Sequence, residues 1–341
     1  IRHSAIVAQL VERDLAKVEA TGSNPVNRSR FMKYLNFFLL VFFLSTGLSD
    51  ECAYSEWGPN DEAGNANLIS NESVLEALKS VETGKTYSLG LIVDSNTPAY
   101  PPRSLELTVV QPFQQFGAGE DLYPNLAAND DIFSGWLGIG SQIDGLGHIG
   151  SADGVFYNCN HGKDFAQITG LTKLGIEKIP PLVARGVLID MASYLNKEFI
   201  PAGETLNLLQ LKGAMNSKGL TIQKGDVVIF HTGWTAAKFK SAPEEWGSGA
   251  PGILPEIAEY LKEKQVIAVG ADTWSLDVVP VLDEKEPFPA HPILLTNGIY
   301  ILEAMNTGEM AEDGVTDFLF ILGPAKVRGA VQMIVNPIAI N

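Results

Sequence analysis

The hydrophobic pattern predicts strands at Thr86–Val93, Leu105–Val110, Gly186–Asp190, Asp226–His231, Val266–Gly270, Gly298–Leu302 and Phe318–Leu322. These runs are rich in β-branched residues, as strands are. Elsewhere the apolar period lengthens to that of a helix. Thr205 is placed to cap a helix running through Met215, and Ile253, Leu254, Ile257, Ala258 and Leu261 recur on one face of a segment ending near Lys264. A helix that leads directly into the apolar run Val266–Gly270 marks an α/β fold. Strand–turn–strand runs near both ends add antiparallel pairs, so the expected sheet is mixed rather than purely parallel. From Trp57 onward there is no composition break, low-complexity linker, repeat or charge block. Residues 50–341 are therefore read as a single domain.

The start of the chain follows a different logic. Met32-Lys33-Tyr34 precedes an apolar run from Leu35 to Leu44, interrupted by Asn36, and then the small or polar residues Ser45 to Ser49. Charged start, apolar middle and small-residue end are the three parts of a secretory signal, here residues 32–49. The run is about half of the roughly 20 residues a membrane-spanning helix needs, which predicts export to a periplasm or extracellular space without a stable membrane anchor. Residues 1–31 are read as an extension upstream of the true start at Met32. The other reading is a genuine helix at Ala8–Ala20.

Composition narrows the chemistry. The chain has 341 residues, 45% of them hydrophobic, with 40 acidic against 24 basic side chains and a net charge of −16. A surface that tracks nucleic-acid phosphates needs clustered Lys and Arg, so no nucleic-acid partner is expected. Cys52 and Cys159 are the only cysteines, too few for a disulfide-built scaffold or a zinc ribbon. Any metal must then be held by oxygen and imidazole. An oxidising compartment permits a Cys52–Cys159 disulfide, but spacing in sequence leaves the pairing open.

Histidine is scarce beyond the leader, with His148, His161, His231 and His291. Gly140-Ser141-Gln142-Ile143-Asp144-Gly145-Leu146-Gly147-His148 packs an amide, a carboxylate and an imidazole into a glycine-punctuated segment ill suited to a helix interior. Such a segment can approach a ligand closely, although Asp-Gly also makes ordinary turns. His291 precedes the strand-like Ile293–Leu295, Asn297-Gly298 reads as a tight hairpin turn, and Glu303 closes the returning run Ile299–Leu302. A two-residue turn would set His291 and Glu303 opposite one another, either as metal ligands or as a simple hydrogen-bonded pair. No Gly-x-Ser-x-Gly elbow supports a serine-triad hydrolase.

These residues carry a resemblance. The chain resembles the cyclase superfamily, which includes bacterial kynurenine formamidases, isatin hydrolases and a metal-dependent dienelactone hydrolase. The hallmark of that family is His-x-Gly-Thr-His-x-Asp-x-Pro-x-His. Gly140, Ser141, Asp144 and His148 take the Gly, Thr, Asp and final His positions, while Gly138 and Gln142 replace the first two histidines and Leu146 replaces the proline. The similarity runs from Trp57-Gly58-Pro59-Asn60-Asp61-Glu62-Ala63-Gly64, through Leu174–Ile179 and Gly225–Val228, to Asn336-Pro337.

The resemblance implies an α/β fold with a mixed, barrel-like central sheet flanked by helices, and a homodimer or homotetramer. It implies a damaged first metal position and a second one formed by Asp144, His291 and Glu303, with Gln142 as a weak carbonyl ligand. Zinc suits that set, and manganese is compatible with its oxygen ligands. The implied activity is hydrolysis of an arylformamide-type or cyclic amide, or of a lactone, with His148 as acid and base. The replaced histidines leave a rival reading, a binding protein of the same fold that has lost turnover. Around this centre, Trp57, Trp136 and Phe156 are candidates for an aromatic wall and His231 for a cavity-lining residue, with structural packing as the alternative for each. His161 reads as a loop residue. Asp272 is expected to support the ligands from behind or to hydrogen-bond a neighbouring loop, with a solvent-facing loop acid as the alternative, and Ser141 to support the ligands from behind.

Overall fold

The most continuously apolar runs of the sequence become the middle of one sheet. The computed structural model describes residues 52–110 and 129–341; the expected leader at 32–49 and the extension at 1–31 lie outside them. Nine strands among the described residues form the sheet: β1 (Thr86–Ser88), β2 (Gln142–Asp144), β3 (Leu182–Asp190), β4 (Val227–His231), β5 (Ala268–Ala271), β6 (Tyr300–Glu303), β7 (Asp317–Leu322), β8 (Gln332–Ile334) and β9 (Ile338–Ile340). Their order is β1-β9-β7-β3-β4-β5-β6-β2-β8. The centre, β3 to β6, is parallel and its flanks are antiparallel. The sheet curls into a half-barrel, so the fold is the mixed α/β arrangement expected. Ala53–Asn341 gather into one compact unit.

Parallel strands require crossovers, and helices provide them. Beyond α1 (Asn71–Ala77), which packs on β3, these are α2 (Leu208–Lys218), α3 (Pro255–Glu263) and α4 (Ala290–Leu295). Every residue of β4, β5 and β6 is buried, the expected state of strands covered on both faces. Asn207, rather than Thr205, caps α2. Its side chain accepts from Gln210 N while the Gln210 side chain returns a bond to the cap, and Thr205 lies in a two-residue strand beside Gly252–Ile253. Pro255 opens α3, whose Ile257, Ala258 and Leu261 are buried as the apolar period predicted.

One local expectation is overturned. Ile293–Leu295 is not a strand and Asn297-Gly298 does not close a hairpin, because α4 runs through the segment. Ala290, His291, Leu294 and Leu295 are its buried residues, and that spacing is helical. The returning strand β6 pairs with β5 and β2 instead. Three apolar residues in a row satisfy either period, and burial against the sheet decides for the helix.

Neither cysteine is free: Cys52 and Cys159 are disulfide-bonded. No helix among the described residues is long and apolar enough to cross a membrane.

Candidate metal centre and cavity

Strand register builds the centre. Directly paired residues on neighbouring strands share a face, and so do residues two apart on one strand. Gln142 pairs with Glu303, Asp144 pairs with Ile301, and on the other side Asp144 pairs with Gln332. Glu303, Gln142, Asp144 and Gln332 therefore project from the same face of three adjacent strands, and α4 lays His291 against that face. The position is at the carboxyl end of β6, where open α/β sheets place their ligands.

Asp144, His291 and Glu303 each offer one ligand atom, and the three atoms lie within 4.8 Å of one another in a buried cluster. His291 Nε2 is 3.2 Å from Glu303 Oε1 and 3.6 Å from Asp144 Oδ2. Ligands about 2.0–2.1 Å from a tetrahedral zinc are separated by about 3.3 Å, so these spacings fit such an ion. Asp144 Oδ2 is buried and has no hydrogen-bond partner, although its other oxygen is well bonded. A buried carboxylate oxygen left unsatisfied at the meeting point of three ligand atoms is what a cation would complete.

The remaining atoms of the cluster are held from behind. His291 Nδ1 is 2.7 Å from Asp277 Oδ2, while Asp277 Oδ1 accepts from Ala290 N at 3.0 Å. Gln142 Nε2 donates to Glu303 Oε2 at 2.6 Å and lies 3.4 Å from Asp144 Oδ1. Gln332 Nε2 donates to Asp144 Oδ1 at 2.7 Å. Gln142 thus turns its amide NH₂ toward the two carboxyl groups, in place of the carbonyl expected of a weak ligand. Gln332 also explains the glycine at 138. A Cβ on Gly138 would fall 2.4 Å from Gln332 Oε1, so the glutamine fills the space where a side chain at 138 would stand.

Electrostatics make the cluster avid for positive charge. Burial lifts the Glu303 carboxyl to about 7, with neighbouring Asp144 adding to the push. Burial also opposes charge on Asp144, but His148 and His291 hold its carboxyl below the usual range. At His291, burial works against the imidazolium, yet Asp144, Asp277 and Glu303 outweigh it and hold the pKa well above the ordinary histidine value. Buried like charges this close require a counter-charge, either a proton or a metal ion.

His148 stands at the rim, in the turn after β2, with Nε2 3.9 Å from Asp144 Oδ2 and its ring 6.4 Å from that of His291. Burial lowers its pKa, with Asp144 partly opposing, so the imidazole is neutral at neutral pH and able to accept a proton. A Cβ at Gly145 would press on Val331 O at 2.9 Å, so this turn needs glycine to lie against β8. Beside these groups is a cavity of about 160 Å³, lined by Tyr100, Arg103, His148, Ile149, Trp274, Ser275, Phe288, His291 and Glu303.

The aromatic wall is not the one expected. Trp57, Trp136 and Phe156 do not line this cavity. Trp136 is 46% exposed beside a separate surface depression, and Phe156 packs edge-on to Phe165 at 5.2 Å. Trp57 is half-buried. His231 is also outside the lining; it is buried and bonds Thr307 Oγ1 through Nδ1 at 2.7 Å. Asp272, just past the end of β5, bonds away from the ligands, accepting from Thr232 N and Thr232 Oγ1 at 2.8 and 2.6 Å. Ser141 joins segments rather than ligands: it donates to Ala304 O at 2.6 Å and accepts from Leu91 N at 2.8 Å. His161 lies in a two-residue strand pairing with Val155.

Asp277, Gln332, Arg103, Tyr100, Trp274 and Phe288 were not singled out by sequence reasoning. No fixed spacing connects them to the ligands. The one usable signal was the neighbourhood of Asp272, since Trp274 and Asp277 follow it in the same loop.

Comparison with known proteins agrees with this fold. A family described as putative cyclase matches residues 87–278, more than half of the chain. The isatin hydrolase of Roseibium aggregatum is 26% identical over 191 residues, which are 53% of this chain and 68% of that protein. A crystal structure described as a novel cyclase superposes with a TM-score of 0.74 and 28% identity, covering 84% of this chain and 99% of the other. Isatin hydrolase A from Labrenzia aggregata, bound to benzyl benzoate, has a TM-score of 0.57 at 19% identity over 80% and 98% of the two chains, a likeness of fold. The chain belongs to the putative cyclase family.

Proposed function

We propose that this chain is a metal-dependent hydrolase that cleaves a non-peptide amide, of the arylformamide or cyclic-amide kind, or a lactone. The observation that carries the reading is the convergence of Asp144 Oδ2, His291 Nε2 and Glu303 Oε1 around an unsatisfied buried carboxylate oxygen. These three would hold the cation, with zinc the first expectation and manganese compatible with two oxygen ligands. A divalent ion bound there would polarise a carbonyl and bring the pKa of water toward neutrality. Asp277 fixes the His291 tautomer so that Nε2 faces the carboxylates. Gln142 and Gln332 hold the outer carboxylate oxygens. His148, neutral and at the rim, takes a proton from the attacking water and passes it to the departing nitrogen or oxygen.

Metal analysis with a substrate panel tests the proposal. The purified protein is expected to carry about one zinc or manganese per chain and to turn over an aryl formamide, a cyclic aryl amide or a simple lactone. His148→Ala should lower turnover by about 10²–10⁴-fold and leave metal content unchanged. A protein that neither retains nor takes up metal would instead be a binding relative without turnover.

Two further parts of the proposal concern context. The disulfide-bonded state of the cysteines supports export to an oxidising compartment. Self-association is supported by the ribbon of Leu105–Val110 and Asp130–Gly135, which pairs with no other strand among the described residues and exposes Leu107, Val109, Ile132 and Phe133. A lone two-stranded ribbon is marginal in water, and a second copy of the chain would cover it.

A further inference from the structure

We propose that the cavity beside Asp144, His291 and Glu303 takes a single-ring aromatic carbonyl compound that bears a carboxylate, and that Arg103 is the residue that recognises this carboxylate.

Size and shape argue for the ring. An apolar cavity of about 150 Å³ accommodates benzene, and this one measures about 160 Å³. Its aromatic wall is rigid on one side. Tyr100 and Trp274 stack with centroids 5.4 Å apart at 29°, and Trp274 Nε1 donates to Trp246 O and Gly249 O at 2.7 and 3.2 Å. The plane of the indole is therefore fixed. Phe288 meets the His291 ring edge-on at 5.9 Å, which carries the aromatic surface up to the metal ligands. A planar substrate lying along this wall would reach the cluster with one edge.

Charge argues for the carboxylate. Glu303 lines the cavity, and Asp144 and Asp277 flank the His291 ring that also lines it, in a chain of net charge −16. Among the described residues, Arg103 is the one guanidinium or ammonium group in the lining. Its Nη1 donates to Gly138 O at 2.5 Å, and among the described residues it forms no ion pair. It lines the same cavity as His148 and Glu303. A planar guanidinium anchored through one nitrogen, with donors left over, suits two-point binding of a carboxylate.

The scissile bond assumed here rests on the hydrolytic reading above, whereas anion recognition can be tested without it. Calorimetry on metal-loaded protein compares ortho-aminobenzoate with its methyl ester, two inert ligands differing in charge. Arg103→Gln removes the cation but keeps a donor for Gly138 O, and its metal content and thermal unfolding verify that the fold survives. The wild type should bind the anion at least about tenfold more tightly than the ester, and Arg103→Gln should lose that preference while binding the ester unchanged. Equal binding of the two ligands by wild type, or equal loss of both in the variant, overturns the inference. Turnover of ortho-formamidobenzoate is followed in parallel. Arg103-dependent binding without turnover would sink the hydrolytic reading alone, and turnover of anion and ester with equal KM would sink this one alone.

Discussion

Asp277 Oδ2 lies 2.7 Å from His291 Nδ1, so the nitrogen that faces Asp144 and Glu303 is Nε2, with its lone pair free when Nδ1 carries the proton. A carboxylate behind a ligating imidazole fixes both its tautomer and its direction. Asp277→Asn keeps an oxygen for Ala290 N but turns an amide NH₂ toward Nδ1, which forces the proton onto Nε2. Metal affinity should fall by about 10–100-fold, as measured by chelator competition, with little change in the fold by circular dichroism.

Gln332 donates to Asp144 Oδ1 from the strand on the opposite side to Glu303. In Gln332→Leu that oxygen loses its donor while remaining in a buried setting. Unfolding of the metal-free protein in denaturant should show a loss of about 1–3 kcal/mol. Gln332→Ala in combination with Gly138→Ala relieves the overlap noted at position 138 and should fold, whereas Gly138→Ala alone should destabilise the chain.

The raised Glu303 pKa gives the metal-free protein a defined pH dependence. Its pKa in the folded state, about 7, is above its ordinary 4.5, so its contribution is fully present below about pH 4.5 and is lost as pH rises through about 7. His291, also raised, acts in the same direction. The Tm of the metal-free protein should therefore fall as pH rises from about 4.5 to about 7, where folded Glu303 holds a proton that the unfolded chain has lost, and His291 extends the fall above that. Metal should reverse this drop, since the ligands must shed protons to bind it and affinity rises over the same interval. Differential scanning fluorimetry with and without zinc measures both effects. A metal-free Tm that climbs through this range would contradict the assignment.

Leu107 and Phe133 sit opposite each other on the exposed ribbon. Replacing both with glutamate should convert a dimer or larger assembly into monomer by light scattering, without changing metal content. A wild-type monomer at high concentration would remove the self-association proposal.

Much of this molecule was legible in one dimension. The buried parallel strands were visible as apolar runs because strands covered on both faces have no polar side to interrupt them, and α3 was visible because its apolar residues recur with the helical period. Asp144, His291, Glu303 and His148 were legible through residue type, local context and the resemblance that those positions carry. The path between His291 and Glu303 was misread, since the three-residue apolar run Ile293–Leu295 fits either period and only packing selects helix or strand.

Tertiary structure alone decided how those side chains are supported and what surrounds them. β2 and β8 are three residues each, too short for a periodic signal, and yet their register carries Gln142, Asp144 and Gln332 to one face. Asp277, Arg103 and the Tyr100–Trp274 pair come from loops, where no repeating pattern connects sequence position to direction. Sequence therefore set which chemical groups were available and which segments had to be buried. The distances that turn them into a centre arose from long-range strand pairing and loop packing, which involve residues up to 188 positions apart and leave no local trace along the chain.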